Sequence, residues 1–323
     1  MKIFVTGGAG YIGSVLVERL LGRGHEVIVY DDLRKGHRQA VAPEATLIEG
    51  DLLDQPALLA ALDGRGIEAV IHLAASSLVG ESVQFPHLYF TNNVIGGINL
   101  LEAMRQAGVG RLVFSSTAAV YGTPATMPIT EETPTAPTNP YGESKLAFER
   151  ILRWYDEAYG MRYVSLRYFN ASGASERYGE DHQPETHLIP NVLKVAAGEA
   201  PYVQIFGENY DTPDGTCIRD YIHVIDLADA HLLALGAMEK GSEIYNLGYG
   251  SGYSVAEVVE MARQVTGRWI STEAGPRRPG DPPVLIASPD KIMRDLGWQP
   301  RHSELDRIIE SAWRWRLAHP NGY

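Results

Sequence analysis

The chain is predicted to fold as an α/β protein on a doubly wound parallel sheet, with a smaller C-terminal lobe. Three observations predict this. A short apolar strand, Lys2 to Thr6, runs directly into the glycine turn Gly7-Gly8-Ala9-Gly10-Tyr11-Ile12-Gly13 and then into a helix with apolar Ile12, Val15, Leu16 and Leu20. Apolar strands then alternate with helical stretches as far as residue 170, the pattern of parallel strands joined by crossover helices. From Ala171 this alternation gives way to loop-rich sequence, and 323 residues exceed the usual range of a single core.

Strand, glycine turn and helix in that order let backbone approach a pyrophosphate at the helix N-terminus. Gly7, Gly10, Tyr11, Ile12 and Gly13 are therefore candidate dinucleotide contacts. The second strand, Val27 to Tyr30, ends at Asp31-Asp32, 18 residues past Gly13. A carboxylate there accepts from the adenosine ribose and repels a 2′-phosphate, so NAD is expected over NADP. Arg34 and Lys35 follow closely and work against that preference. The third strand, Thr46 to Gly50, leads to Asp51 and Leu52, and the fourth, Ala69 to Leu73, leads to Ala74 and Ala75. Ligands of such a sheet lie beyond the carboxyl ends of its strands. This places Asp51, Leu52, Leu73, Ala74 and Ala75 at the cofactor, with Asp51 toward the adenine amine and Ala74 toward the ribose. His72 reads as a hydrogen-bonded strand histidine. A helical stretch from Tyr89 to Ala107 carries Asn92 and Asn93, and Asn92 is taken as the cofactor contact.

The fifth strand, Arg111 to Phe114, delivers Ser115, Ser116 and Thr117 to the same edge. A loop with five prolines, Pro124 to Pro140, delays the next helix until Tyr141. That helix, reaching about Tyr159, places Tyr141 and Lys145 four residues apart on one face. A phenol beside a fixed ammonium is stabilised as phenolate, a base able to take a hydroxyl proton. Free tyrosine titrates near pH ~10, so this requires a depression of roughly 3 units, or about 4 kcal/mol. The sixth strand, Tyr163 to Tyr168, ends at Phe169-Asn170, with Tyr168 at the cofactor edge.

Arg219 to Val224, the helix Asp226 to Met238 and the strand Ile244 to Gly248 read as a return to the sheet. The expected domains are thus residues 1–170 plus about 216–248, and about 171–215 plus 249–323. In the second, a helix from Ser254 to Thr266, a loop Gly275 to Asp281 and a closing amphipathic helix with Leu305, Ile308, Ile309 and Ala312 are expected.

A net charge of −12 opposes nucleic acid and anionic membranes, so neither is an expected partner. An anionic substrate needs placed arginines, and Arg219 and Arg278 are the best diphosphate partners. Cys217 is the only cysteine, which rules out an intrachain disulfide or a Cys-rich metal centre, and no metal is called for. With no apolar run of membrane-spanning length and no room for a leader before the first strand, a cytoplasmic location is expected.

In T-G-G-A-G-Y-I-G from Thr6, the hydroxyl-bearing strand end at Thr117 and Y-G-E-S-K from Tyr141, the chain resembles the extended short-chain dehydrogenase/reductase family. H-L-A-A-S-S-L-V-G-E-S from His72, L-R-Y-F-N from Leu166, D-G-T-C-I-R-D-Y-I-H-V-I-D-L-A-D-A from Asp214, P-R-R-P-G-D from Pro276 and H-P-N-G-Y from His319 resemble its branch acting at carbon 4 of UDP-sugars. The resemblance implies a Rossmann-like NAD domain, a nucleotide-sugar lobe and reversible epimerisation of UDP-galactose and UDP-glucose, with tightly bound NAD as recycled hydride carrier. Tyr141, Lys145 and Thr117 would be catalytic, and Ser115 a cofactor contact. Phe169, Asn170, His187, Leu188, Gln204, Phe206, Arg219, Tyr221, Arg278, Asp281 and Leu285 would meet the UDP-sugar, and Thr117 and Tyr141 its hexose. A homodimer through the helices near residues 89–107 and 141–159 is also implied.

Two positions depart from that family, Thr117 where serine is frequent and Ser77 where some members offer lysine. The Asp-Glu that related dehydratases carry after the strand-end threonine is Ala118-Ala119 here. A 4-epimerase of another UDP-sugar (N-acetylhexosamine, uronic acid or pentose), or a net NAD-dependent dehydrogenase, shares the remaining residues and stays open.

Overall fold

The computed structural model describes residues 1–278 and 281–323. Its strands are β1 (Lys2–Thr6), β2 (Glu26–Asp31), β3 (Thr46–Glu49), β4 (Ala69–His72), β5 (Arg111–Thr117), β6 (Arg162–Tyr168), β7 (Asn170–Ser172), β8 (Val203–Phe206), β9 (Ile218–His223), β10 (Glu243–Leu247), β11 (Gly252–Ser254), β12 (Thr272–Gly275) and β13 (Val284–Leu285). The α-helices are α1 (Tyr11–Gly22), α2 (Gln55–Leu62), α3 (Val79–Gln84), α4 (Pro86–Tyr89), α5 (Gly96–Gln106), α6 (Pro140–Tyr159), α7 (Leu188–Ala196), α8 (Val224–Ala237), α9 (Val255–Thr266), α10 (Asp290–Leu296) and α11 (Leu305–Ala318).

Seven strands form the main sheet in the order β10-β6-β5-β4-β1-β2-β3, and the pairings from β6 across to β3 are parallel. The order runs outward from β1 in both directions, so the chain reverses beside β1, where such sheets open a ligand crevice. The inner strands β1, β2, β4, β5 and β6 are buried on both faces, which explains their unbroken apolar runs. Phe4, Ile28, Val70, Leu112 and Phe114 pack there against Leu58, Leu100, Met104, Phe148 and Leu152 from the helices. At about 25 cal/mol per Å² of apolar surface, this burial is the main drive to fold.

The chain divides into two compact units, residues 1–122, 134–168 and 228–245, and residues 123–133, 169–227 and 246–323. The second has its own core, in which Ile189, Val192 and Leu193 of α7 meet Val258 and Ala262 of α9 and Ile308 and Ile309 of α11. Two boundaries differ from the sequence reading. Residues 216–227 belong to the second unit because β9 pairs with β7, β11 and β13, not with the main sheet. Residues 123–133 join it because Ile129 exchanges backbone hydrogen bonds with Ile286 and Ser288. Both are long-range pairings that strand propensity alone does not register. The stretch from Tyr89 to Ala107 is also not one uniform helix, because Phe90–Ile95 forms a π-helical turn between α4 and α5.

Candidate active site

The glycine turn is fixed by contacts that leave no room for side chains at Gly7, Gly8 and Gly13. Gly7 has φ +74°, and a Cβ there would lie 2.5 Å from the Ala74 nitrogen. A Cβ on Gly13 would overlap the Gly7 carbonyl oxygen. Gly10 differs, since the nearest atom to an added Cβ is 3.4 Å away. It leads into α1 with no side-chain cap, so the first N–H groups of that helix carry no side-chain partner from Gly10. This bare helix start fits a pyrophosphate.

Asp31, at the end of β2, is buried, and its carboxylate accepts from the Ala9 N–H at 3.0 Å and the Leu33 N–H at 2.9 Å. Burial raises its pKa, with these two bonds opposing. Asp32 takes the Arg34 guanidinium at 2.5 Å, and Asp51 lies 3.5 Å from it. The cation that weakened the NAD preference is therefore engaged by two acids. Leu52 is buried, and the Leu73 and Ala74 N–H groups bond the Thr6 carbonyl at 3.0 and 3.1 Å. His72 is the strand histidine expected, with Nδ1 2.7 Å from Thr6 Oγ1. Burial and then Lys145 lower it to about 3, so it stays neutral.

At the catalytic strand end, β5 and β6 pair from Arg111↔Arg162 to Thr117↔Tyr168. Asn139 caps α6 by accepting the Gly142 N–H at 2.9 Å, and Pro140 occupies the first turn, so the helix starts where Tyr141 faces this edge. The Thr117 hydroxyl accepts from the Ala119 N–H at 3.1 Å. Lys145, 2% exposed, donates to the Ser115 carbonyl at 2.8 Å. Its pKa is lowered to about 7 by burial, with Glu149 opposing. Tyr141 does not follow the expected depression. Burial raises its pKa, and the Thr117 hydroxyl is what opposes that rise. Phenolate chemistry therefore needs positive charge in addition to what these side chains supply. Tyr168 bonds His231.

Sequence reasoning missed two supports of this edge. Asn93, more deeply buried than Asn92, clamps Ser76 through both amide atoms at 2.8 and 3.0 Å and donates to Ser144 Oγ at 3.0 Å. Glu149 accepts from Ser116 Oγ at 2.5 Å and pairs with Arg167 at 2.7 Å, both side chains at most 5% exposed. The signal was there, because Glu149 follows Lys145 by four residues and Arg167 interrupts an apolar strand.

In the second unit, the small sheet gathers several nucleotide-sugar candidates. Asn170 on β7 lies opposite Tyr221 of β9, and Leu285 on β13 opposite Arg219 of β9. Asn170 donates to the Asp220 carbonyl at 2.7 Å. Arg219 pairs with Asp281 at 2.5 Å, while Asp220 is occupied by the N–H groups of Tyr249, Gly250 and Ala287. The Arg278 guanidinium stacks 4.3 Å from the centre of the Phe206 ring. Of the P-R-R-P-G-D motif, Pro279 and Gly280 lie outside the described residues. Phe169 is buried, Gln204 is exposed on the separate β8–β12 pair, and Leu188 opens α7. His187 lies 2.7 Å from Glu180 and 2.8 Å from Glu185. Against the cost of burial, those two acids carry its imidazole up to about 10.

No helix among the described residues is long and apolar enough to cross a membrane. Residues 3–248 match the NAD dependent epimerase/dehydratase family. The UDP-glucose 4-epimerase of Halalkalibacterium halodurans is 54% identical over 327 aligned residues that cover all of this chain and 98% of that protein. A crystal structure of a UDP-glucose 4-epimerase superposes with a TM-score of 0.97 at 50% identity, covering 100% of this chain and 99% of that one. The Bifidobacterium longum UDP-glucose 4-epimerase, solved with NAD+ and UDP, superposes with a TM-score of 0.95 at 40% identity over the whole of both chains. With its glycine turn, its Tyr141 and Lys145 on one helix and relatives this close over its full length, the chain belongs to the NAD dependent epimerase/dehydratase family.

Proposed function

We propose that this protein is an NAD-dependent UDP-glucose 4-epimerase, an isomerase that interconverts UDP-galactose and UDP-glucose. The observation that carries this reading is the placement of Tyr141 and Lys145 one turn apart on α6 beside the end of β5, where Lys145 is anchored on the Ser115 carbonyl and Thr117 is followed by Ala118-Ala119 in place of further acids. Tyr141 removes the proton of the sugar 4-hydroxyl, and Thr117 holds the same oxygen in line. When bound, NAD would supply a reversible hydride acceptor for carbon 4 and positive charge that favours the phenolate. Lys145 supplies further positive charge beneath Tyr141. Gly7, Gly10, Gly13 and Asp31 hold the cofactor.

The division of labour follows the two units. The first carries proton and hydride chemistry. The second anchors the UDP group through Arg219 and Arg278, with Phe206 and Tyr221 toward the uridine and Asp281 toward its ribose. A homodimer through the α5 and α6 region belongs to the same reading. Trp154 and Tyr159 of α6 and Ile95 before α5 are large apolar residues left at least half exposed there. A cytoplasmic setting suits the lone thiol, Cys217.

The test follows UDP-galactose carrying deuterium at carbon 4. Conversion to UDP-glucose with the label retained and no NADH released is the expected outcome. Label lost to solvent, or NADH formed in step with sugar, would return the net dehydrogenase. Tyr141→Phe should lower turnover by roughly 10³-fold while NAD stays bound.

A further inference from the structure

One cluster of imidazoles and carboxylates in the second unit has the donor set of a metal centre. Glu180, His182, Glu185 and His187 converge so that one ligand atom from each lies within 4.8 Å of the others. Oε1 of Glu180 is 3.1 Å from His182 Nδ1 and 2.7 Å from His187 Nδ1. Glu185 approaches the same two nitrogens at 3.9 and 2.8 Å. The two imidazole rings are 5.3 Å apart and inclined at 47°, so both nitrogens reach one point without stacking.

Exposure divides the cluster into a floor and a mouth. The carboxylate side chains are 8% and 2% exposed, the imidazoles 29% and 49%. Two carboxylates this far from water require positive charge close by. Mixed imidazole and carboxylate donors suit ions of the zinc class, bound tetrahedrally with arms of about 2.0–2.2 Å. Such arms put neighbouring donors about 3.3 Å apart. The four imidazole–carboxylate separations here, 2.7 to 3.9 Å, bracket that value, and all six pairs lie within 4.8 Å.

We propose that Glu180, His182, Glu185 and His187 form a four-ligand site for a divalent transition ion of the zinc class. A single 2+ ion neutralises both buried carboxylates and ties the 180–187 loop to the start of α7.

The probe is the metal itself, added to full-length, NAD-loaded protein stripped with chelator. Zn²⁺ titrated against a chromophoric chelator should bind at one per chain, and at least ~100-fold more weakly in His182→Ala and in Glu180→Gln. Zn²⁺ should also raise the unfolding temperature of the unaltered protein and not that of either variant. Co²⁺ in the unaltered protein should give the intense visible bands of a tetrahedral ion, a readout that needs no variant to fold. Zn²⁺ taken up equally by all three proteins, or by none, or faint octahedral Co²⁺ bands, would leave an ion-pair cluster only and overturn the site.

Discussion

Lys145 donates its ammonium to the Ser115 carbonyl at 2.8 Å, so its charge is fixed to the strand end beneath the reaction and not to the Tyr141 hydroxyl. This makes it a through-space support of the base. Lys145→Met should lower kcat at neutral pH by roughly 10²-fold, move the acid limb of the pH–rate profile upward and change KM for UDP-galactose little. An acid limb that stays in place would show that Lys145 does not act on Tyr141.

The glycine turn separates folding from cofactor binding. A methyl at Gly13 would collide with the Gly7 carbonyl, whereas the nearest atom to one at Gly10 is 3.4 Å away. Gly13→Ala should therefore lose both stability and NAD. Gly10→Ala should keep its unfolding midpoint and bind NAD at least ~10-fold more weakly, because backbone must approach the pyrophosphate there. Calorimetric titration beside thermal unfolding distinguishes the two, and unchanged NAD affinity in Gly10→Ala would remove it from the site.

These contrasts show what was legible in the sequence. Period, glycines and strand-end chemistry are local, so β1 to β6, Asp31, Thr117, Tyr141 and Lys145 could be read directly. The assignment of β9 depended on which strands it meets far along the chain, and its own residues do not encode that. Asn93 was passed over for Asn92 because the π-helical turn shifts which of two adjacent amides points inward. The mutual engagement of Arg219 and Asp281 was invisible for the same reason, since 62 residues separate them.

Arg34 offers a test of cofactor choice. Asp32 and Asp51 hold its guanidinium, and Asp31, at the end of β2, is the carboxylate proposed to face the cofactor's ribose. Replacing Asp31 by Ser and Asp32 by Ala together removes one repulsive charge and loosens Arg34 for a phosphate. The ratio of NADP to NAD affinity should rise at least ~10-fold in the double variant, measured by fluorescence titration of the reduced cofactors. An unchanged ratio would show that selectivity lies elsewhere.

Asp220 gives the second unit a pH dependence of its own. It is fully buried, and burial raises its pKa from 3.8 to about 7, with three backbone N–H bonds opposing. A raised carboxyl holds its proton more firmly in the fold than in the unfolded chain. Its stabilisation is therefore complete below pH ~4 and lost as pH rises through about 7, a difference on the order of 4 kcal/mol. Asp220→Asn carries no such titration. Denaturant unfolding of the two proteins from pH ~5 to ~8 should show the unaltered chain losing stability relative to the variant. Parallel pH curves would show that Asp220 titrates near its ordinary value in the fold.

Leu285, half-buried on β13 and paired in register with Arg219, is the residue expected to set sugar range under the proposed function. If Arg219 holds the diphosphate, the residue opposite it stands close to the sugar that follows. Bulk there limits what a sugar can carry at carbon 2, since an acetamido group needs room that a hydroxyl does not. Leu285→Ser should raise kcat/KM for UDP-N-acetylgalactosamine by roughly 10-fold and leave UDP-galactose within about 3-fold, the scale expected from a few methylenes of pocket volume. Leu285→Tyr should reverse the sign, losing the acetylated sugar first. Competition between the two sugars in one reaction measures the ratio directly. If neither substitution moves it, Leu285 does not line the sugar pocket, and the discrimination comes from another element of the second unit.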